Sequence, residues 1–512
     1  MGKAGEIGGL TQTERYLSAL ANKSFLSLWS FNNLFREPGK ELCDLLVVCH
    51  NIVIIFSDKE VKFDLDLLTN DAWARWYNRA ILKSVPQLKR ARNWLLNHPD
   101  RVFTDSRAQS PIHLFNSVNE PLEIHLVTVA NGASRACMNY FNGGSGSLLV
   151  SSSADPKSPE IFTVGNPGKP GLFVHVFDEA HLHIMLQELD TITDFRDYLC
   201  ARERLISIDG LFSAAGEEDL LAVYLKDINE RGNHDFVWSP GVAIVEGQKL
   251  IIEEGAYGHY RSASPYRRKK IADRQSYIWD RLIEKFAKHY SAGTLAEVPK
   301  FLGNDGRHGG AELGLRYMAL ERRVQRRSHS KALLGAFDRI AERNGMRFFR
   351  AMLPETEMQG DTGFCVLLMK REFTPDGTDY ENYRQFRAAN LAAYTEGLLE
   401  RNRHLKRVIG LATEGVRNAS MTEDLIYHEP PDWTEDAIKN VNNQAENFGI
   451  FRGEMKPSAQ SEIEYPETDL GLRGSFAPIP YILSSAADGL RPQNTGNRKS
   501  RRAAEARARR KP

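Results

Sequence analysis

The stretch ELCDLLVVCHNIVIIFSDKEVK, Glu41–Lys62, decides how the chain is read. Two runs of strand-forming residues, Leu45–Cys49 and Ile52–Phe56, flank His50-Asn51, a spacing short enough for a tight hairpin turn. Both runs are continuously apolar, so the hairpin is expected to be buried on both faces. With a two-residue loop Cys49 faces Ile52, and counting back sets Asp44 across from Ser57. Residues two apart on a strand share a face, which places Ser57 and Lys59 with Asp44. Asp58 then points to the other side. Acids and a lysine at one hairpin end suit a chemistry in which carboxylates hold divalent ions and a cation sits near an attacking water.

Working outward, Thr11 and Thr13 are candidate N-caps, with Glu14 in the first turn of a helix carrying Tyr16, Leu17 and Leu20. A second apolar stretch, Phe25–Phe31, continues toward Leu34, and Pro38-Gly39 breaks the chain. After the hairpin a helical pattern runs from Asp71 to Leu96, with Pro86 expected to kink or split it. Helix, Glu41-x-x-Asp44, hairpin, terminal Lys59 and a helix containing Gln87 together resemble the PD-(D/E)xK, restriction-endonuclease-like nuclease superfamily over roughly residues 11–100. The chain is also similar to bacterial proteins that carry the phrase Phe56-Ser57-Asp58-Lys59.

The resemblance implies Mg²⁺ or Mn²⁺ as cofactor and a nucleic acid, DNA first, as partner. It implies Asp44 as the first metal-binding acid, Glu41 and Glu14 as auxiliaries, and Gln87 as the glutamine of the following helix. The lysine of the motif orients or activates water. The chain departs from the pattern at the second acid, because hairpin geometry puts Ser57-x-Lys59 at the acid-x-Lys site. Glu60-Val61-Lys62 fits the motif literally but lies three residues further along, about 10 Å at strand rise. A bulge after Phe56 would swing Asp58 or Glu60 inward. The favoured set is Asp44 with Lys59, completed by Asp58 or Glu60, with Lys62 as the alternative lysine.

At 512 residues the chain is long enough for two or three domains, and 42% hydrophobic with 26% charged residues excludes wholesale disorder. No apolar run approaches a membrane span, and Met1–Gly9 lacks the order of a signal peptide. Five scattered cysteines without CxxC form neither a disulfide framework nor a zinc pattern, so a reduced, cytoplasmic protein is expected. The expected organisation is an α/β restriction-endonuclease-like domain over 10–205, an α+β region over 206–455 with helices on a mainly antiparallel sheet, and a flexible basic tail over 456–512. Short runs at 112–115, 122–129, 148–151, 161–164 and 172–177 read as strands extending the first sheet, and Leu221–Leu225 as a strand of the second region.

Other motifs are weaker. The loops Asn142–Ser147 and Gly165–Pro170 lack the Lys-Ser/Thr of a P-loop and read as turns. His175, His181 and His183, beside Asp178 and Glu179, read as structural histidines, and Asp305–Glu312 as a helix entry. Arg267, Arg268, Lys269 and Lys270, like Arg316–Arg327, are clusters that could neutralise phosphates, although the net charge is only +1. Three functions follow: a metal-dependent nuclease, with defence against foreign DNA as the family habit; an inactive nuclease fold that binds or scaffolds; or an enzyme housed in the C-terminal region.

Overall fold

The chain enters the computed structural model as a helix, α1 (Gln12–Phe25), and then turns into a three-strand meander. β1 (Ser30–Glu37), β2 (Lys40–Cys49) and β3 (Ile52–Glu60) run antiparallel, with Pro38-Gly39 as the first turn and His50-Asn51 as the second. Gly39 and His50 both take a positive φ, as tight hairpin turns demand. The expected register is present, from Cys49 opposite Ile52 to Leu45 opposite Phe56. β1 was not foreseen: its apolar residues Phe31, Leu34 and Phe35 do not alternate, and its pairing with β2 shifts register on either side of Phe35.

The helical stretch that follows is broken, but not by its proline. α2 (Thr69–Tyr77) and α3 (Ser84–Asn97) are joined through a π turn over Asn78–Leu82. Pro86 sits in the first turn of α3, where no intrahelical N–H is needed. β4 (Glu123–Asn131), after which α4 (Ser134–Tyr140) follows, joins β3 in parallel. β5 (Leu149–Ser151), β6 (Thr163–Val164) and β7 (His175–Asp178) come next, and only β7 extends the first sheet, giving the order β1-β2-β3-β4-β7. α3 covers one face, where Leu88, Ala91 and Leu95 pack with Leu46, Val48, Val53 and Ile55.

β5 and β6, expected in that sheet, instead begin a second one. α5 (Glu179–Glu188) and α6 (Ile192–Ile206) lead to β8 (Phe212–Ala214), α7 (Glu217–Lys226) and β9 (Gln248–Ile252), then α8 (Ala256–Ser262) and α9 (Ser264–Asp273). The second sheet has the order β14-β9-β8-β5-β6, where β14 is Tyr481–Ser485. Leu221–Leu225 is helix, not strand: a continuous apolar run fits a fully buried helix equally well, and Gly216 with three acids in the first turn starts one here. Hence the first unit comprises residues up to Ile271 and those from Glu464 onward, a division well beyond residue 205.

The second unit, Ala272–Ile463, contains α10 (Tyr277–Ala292), α11 (Ala311–Leu320), α12 (Arg323–Glu342), α13 (Tyr380–Arg401) and α14 (Glu435–Asn447). Its sheet, in chain order, is β10 (Arg347–Met352), β11 (Thr362–Met369), β12 (Arg407–Glu414) and β13 (Glu423–His428). The α13 crossover makes β11 and β12 parallel, while the two outer pairs are antiparallel. Both units are therefore mixed α/β structures. The structure describes residues 12–485 except 113, 116–119, 209–211, 231, 237–247, 295–309, 343–345, 355–359, 375–377, 416–421, 453–461 and 468–480. Thr11, 305–309 and most of the basic tail lie outside the described residues. Among the described residues no helix is long and apolar enough to cross a membrane.

Candidate active site

The β2–β3 ladder ends at Leu45 and Phe56, and the next residue of β2 is Asp44. Its carboxylate takes over where the ladder stops: Asp58 N donates to Asp44 Oδ2 at 2.6 Å. Lys59 Nζ lies 3.5 Å from the same oxygen. Gln87 Nε2 of α3 donates to Oδ1 at 3.3 Å, and Ser57 Oγ donates to Gln87 Oε1 at 3.4 Å. Asp44, Ser57, Lys59 and Gln87 thus meet on the α3 face of the sheet. Asp44 is buried, whereas Lys59 is partly exposed, so the cluster opens to solvent on the lysine side.

Asp58 stays on the opposite face. The β3–β4 register is unbroken from Ile52–Glu123 to Glu60–Asn131, so no bulge turns it inward. Its Oδ1 accepts from Asn131 Nδ2 at 2.7 Å, and Thr13 of α1 also bonds to it. Burial pushes the Asp58 carboxyl up to about 6, and the negative charges of Asp44 and Glu14 add to the rise, against the bonds from Thr13 and Asn131. Glu41 is likewise raised, first by burial and then by Asp44 and Glu14, with Lys59 opposing. Asp58 and Glu41 therefore both feel the charges of Asp44 and Glu14. The Glu60 and Lys62 side chains are exposed and make no hydrogen bond or ion pair among the described residues.

The folded-state value of Asp58 lies above the ordinary aspartate range, so between about pH 4 and pH 6 the folded chain holds a proton the unfolded chain has lost. Stability falls as pH rises through that window. In EDTA, Asp58→Asn is expected to raise stability at pH 7 by on the order of 2 kcal/mol and to change little at pH 4, read by thermal unfolding. An equal effect at both pH values would show that Asp58 titrates normally.

The basic clusters are engaged internally. Arg268 and Lys269 are buried, donating to Pro466 O and pairing with Glu464; Lys270 pairs with Glu188, and only Arg267 is exposed. In the second unit Arg323 and Arg326 pair with Asp280, and Arg327 with Asp273 and Glu462. Clusters of cations in a near-neutral chain are matched by carboxylates brought from elsewhere, which linear reading does not see. By contrast, α2, the π turn and α3 expose Arg75, Arg79, Lys83, Lys89 and Arg90 without an ion pair among the described residues. Their spacing of four from 75 to 83 was the available signal.

The histidines sit within the fold's own contacts. His181 and His183 lie on α5; Asp178 caps that helix, and His183 bonds to Tyr16 and Gln187. In the loop at 142–147, Asn142, Gly143, Gly144 and Gly146 take a positive φ, a turn as expected. No family model, curated protein or solved structure matches the chain.

Proposed function

We propose that the chain is a Mg²⁺- or Mn²⁺-dependent nuclease with a restriction-endonuclease-like first unit, acting on nucleic-acid phosphodiesters in the cytoplasm. The observation that carries this reading is the convergence of Lys59 and Gln87 on the Asp44 carboxylate where the β2–β3 ladder ends. All candidate donors are carboxylate oxygens, the set preferred by hard divalent ions, and a cation would relieve the Asp58 and Glu41 carboxyls, which are raised first by burial and then by the neighbouring acids. Asp44 would hold the ion, with Asp58, Glu41 and Glu14 adding negative field from the residues around it. When bound, such an ion acidifies water and neutralises the phosphate oxygens. Lys59 orients the attacking water and stabilises charge developing on the phosphate, and Gln87 fixes the Asp44 rotamer. The unpaired cations of α2 and α3 supply backbone contacts on the helices next to the site, a role for which Arg267–Lys270 are poorly placed.

One observation favours a second reading: Ser57 occupies the position where the motif has its acid, so the same fold could bind nucleic acid without cutting it. Incubating the full chain with plasmid, single-stranded DNA and RNA in Mg²⁺, Mn²⁺ or EDTA separates the two. Cutting with either ion and none in EDTA supports the nuclease. Salt-sensitive binding with no cutting in any buffer gives the binding module the lead.

A further inference from the structure

At the other end of the same sheet, three donors from two elements converge on one point. Glu123 and His125 alternate along β4, and Cys200 comes from α6. His125 Nε2 is 3.1 Å from Glu123 Oε1, Cys200 Sγ is 3.2 Å from that oxygen, and Sγ and Nε2 are 3.9 Å apart. A triangle with these edges has a point about 2.0 Å from all three atoms, close to the bond lengths of about 2.0–2.3 Å that zinc makes to O, N and S. A tetrahedral zinc site would show N···O near 3.3 Å and N···S near 3.6 Å, within a few tenths of the spacings present. We propose that Glu123, His125 and Cys200 form a binding site for one Zn²⁺-like transition-metal ion, which ties β4 to α6.

The donor chemistry selects this class. Thiolate and imidazole are softer than the all-carboxylate set around Asp44, and they favour zinc over magnesium or calcium. Arg196 lies 3.7 Å from Glu123 Oε2, which leaves Oε1 turned toward the other two donors. Cys200 would ligate as thiolate, its proton leaving to solvent. Without an ion, burial and the Glu123 carboxylate push the thiol up to about 12; a bound cation reverses that preference.

A rival grouping of His125, His175 and Glu203 is also close enough to share an ion. Arg202 Nη1 donates to His175 Nδ1 at 3.4 Å, which occupies that nitrogen and puts the ring proton on Nε2, so neither faces a metal as a lone pair. The site is separate from the hairpin acids. His125 pairs with Ile54, three residues before Ser57 on β3, and it lies on the face away from Asp44. The proposal thus stands independently of the nuclease reading.

Cobalt titration of the full chain tests it, because tetrahedral Co²⁺ bound to sulfur shows a thiolate charge-transfer band together with intense visible bands. One equivalent should produce both, and Zn²⁺ should bleach them. Cys200→Ser, a near-isosteric change whose folding is checked by circular dichroism, should remove the charge-transfer band. His125→Ala should weaken binding about tenfold or more. His175→Ala and Asp44→Ala should leave the spectrum intact. Absence of a cobalt spectrum, a charge-transfer band that survives Cys200→Ser, or its loss in His175→Ala would overturn the assignment.

Discussion

Asp44→Ala is expected to lower metal-dependent cleavage by about 100-fold or more while the chain remains folded. The carboxylate is the meeting point of the Asp58 main chain, Lys59 and Gln87, so its removal leaves the lysine with no fixed direction. It also takes away one of the charges that raise Asp58 and Glu41, so metal-free stability should not suffer for electrostatic reasons. Lys59→Ala should lose a comparable factor in turnover with the metal dependence retained, because its work lies with water and phosphate. Gln87→Ala acts through Asp44, so a loss of about 10-fold with a raised metal requirement is expected. Initial rates across a Mg²⁺ titration distinguish these patterns. Variants that all cut like wild type would remove the hairpin acids from the mechanism.

Glu217→Ala is expected to cost the first unit about 3–5 kcal/mol. Arg202 Nε and Nη2 donate to the two oxygens of Glu217 at 2.6 and 2.9 Å, and both side chains are fully buried. Tyr198 Oη donates to Glu217 Oε1 at 2.5 Å, and the guanidinium lies 5.2 Å above the Phe177 ring. Truncating the acid strands a buried guanidinium and an unmatched phenol. Replacing both charges, as in Arg202→Met with Glu217→Leu, should recover most of the loss, since the pair's desolvation disappears with it. Urea unfolding followed by tryptophan fluorescence measures both. A single variant within about 1 kcal/mol of wild type would mean that water reaches the pair.

What could be read from the chain was local. The β2–β3 register followed from a two-residue loop between apolar runs, and with it the shared face of Asp44, Ser57 and Lys59. The second unit was legible for the same reason: its elements are long and bounded by Pro, Gly and capping residues such as Asp379 and Thr434. Non-local matters were hidden. β5 and β6 are too short to reveal which sheet they join, and α7 hides its period because every residue from Glu217 to Leu225 is buried. Lys269 looked free until Glu464, almost two hundred residues later, was found beside it. Glu123, His125 and Cys200 gave only an alternation on a strand and one cysteine on a helix.

The pairing of β14 with β9 has a consequence for the order in which the molecule can be made. A ribosome that has released the first 271 residues has produced most of the first unit but not its outer strand, nor the Glu464 that neutralises Lys269. The entire second unit must emerge in between, and it can fold while β9 still presents an unpaired edge. Nascent chains should therefore depend on chaperones for the time it takes to translate residues 272–463. A premature stop anywhere in that interval would leave the candidate nuclease unit unfinished despite encoding every one of its proposed catalytic residues.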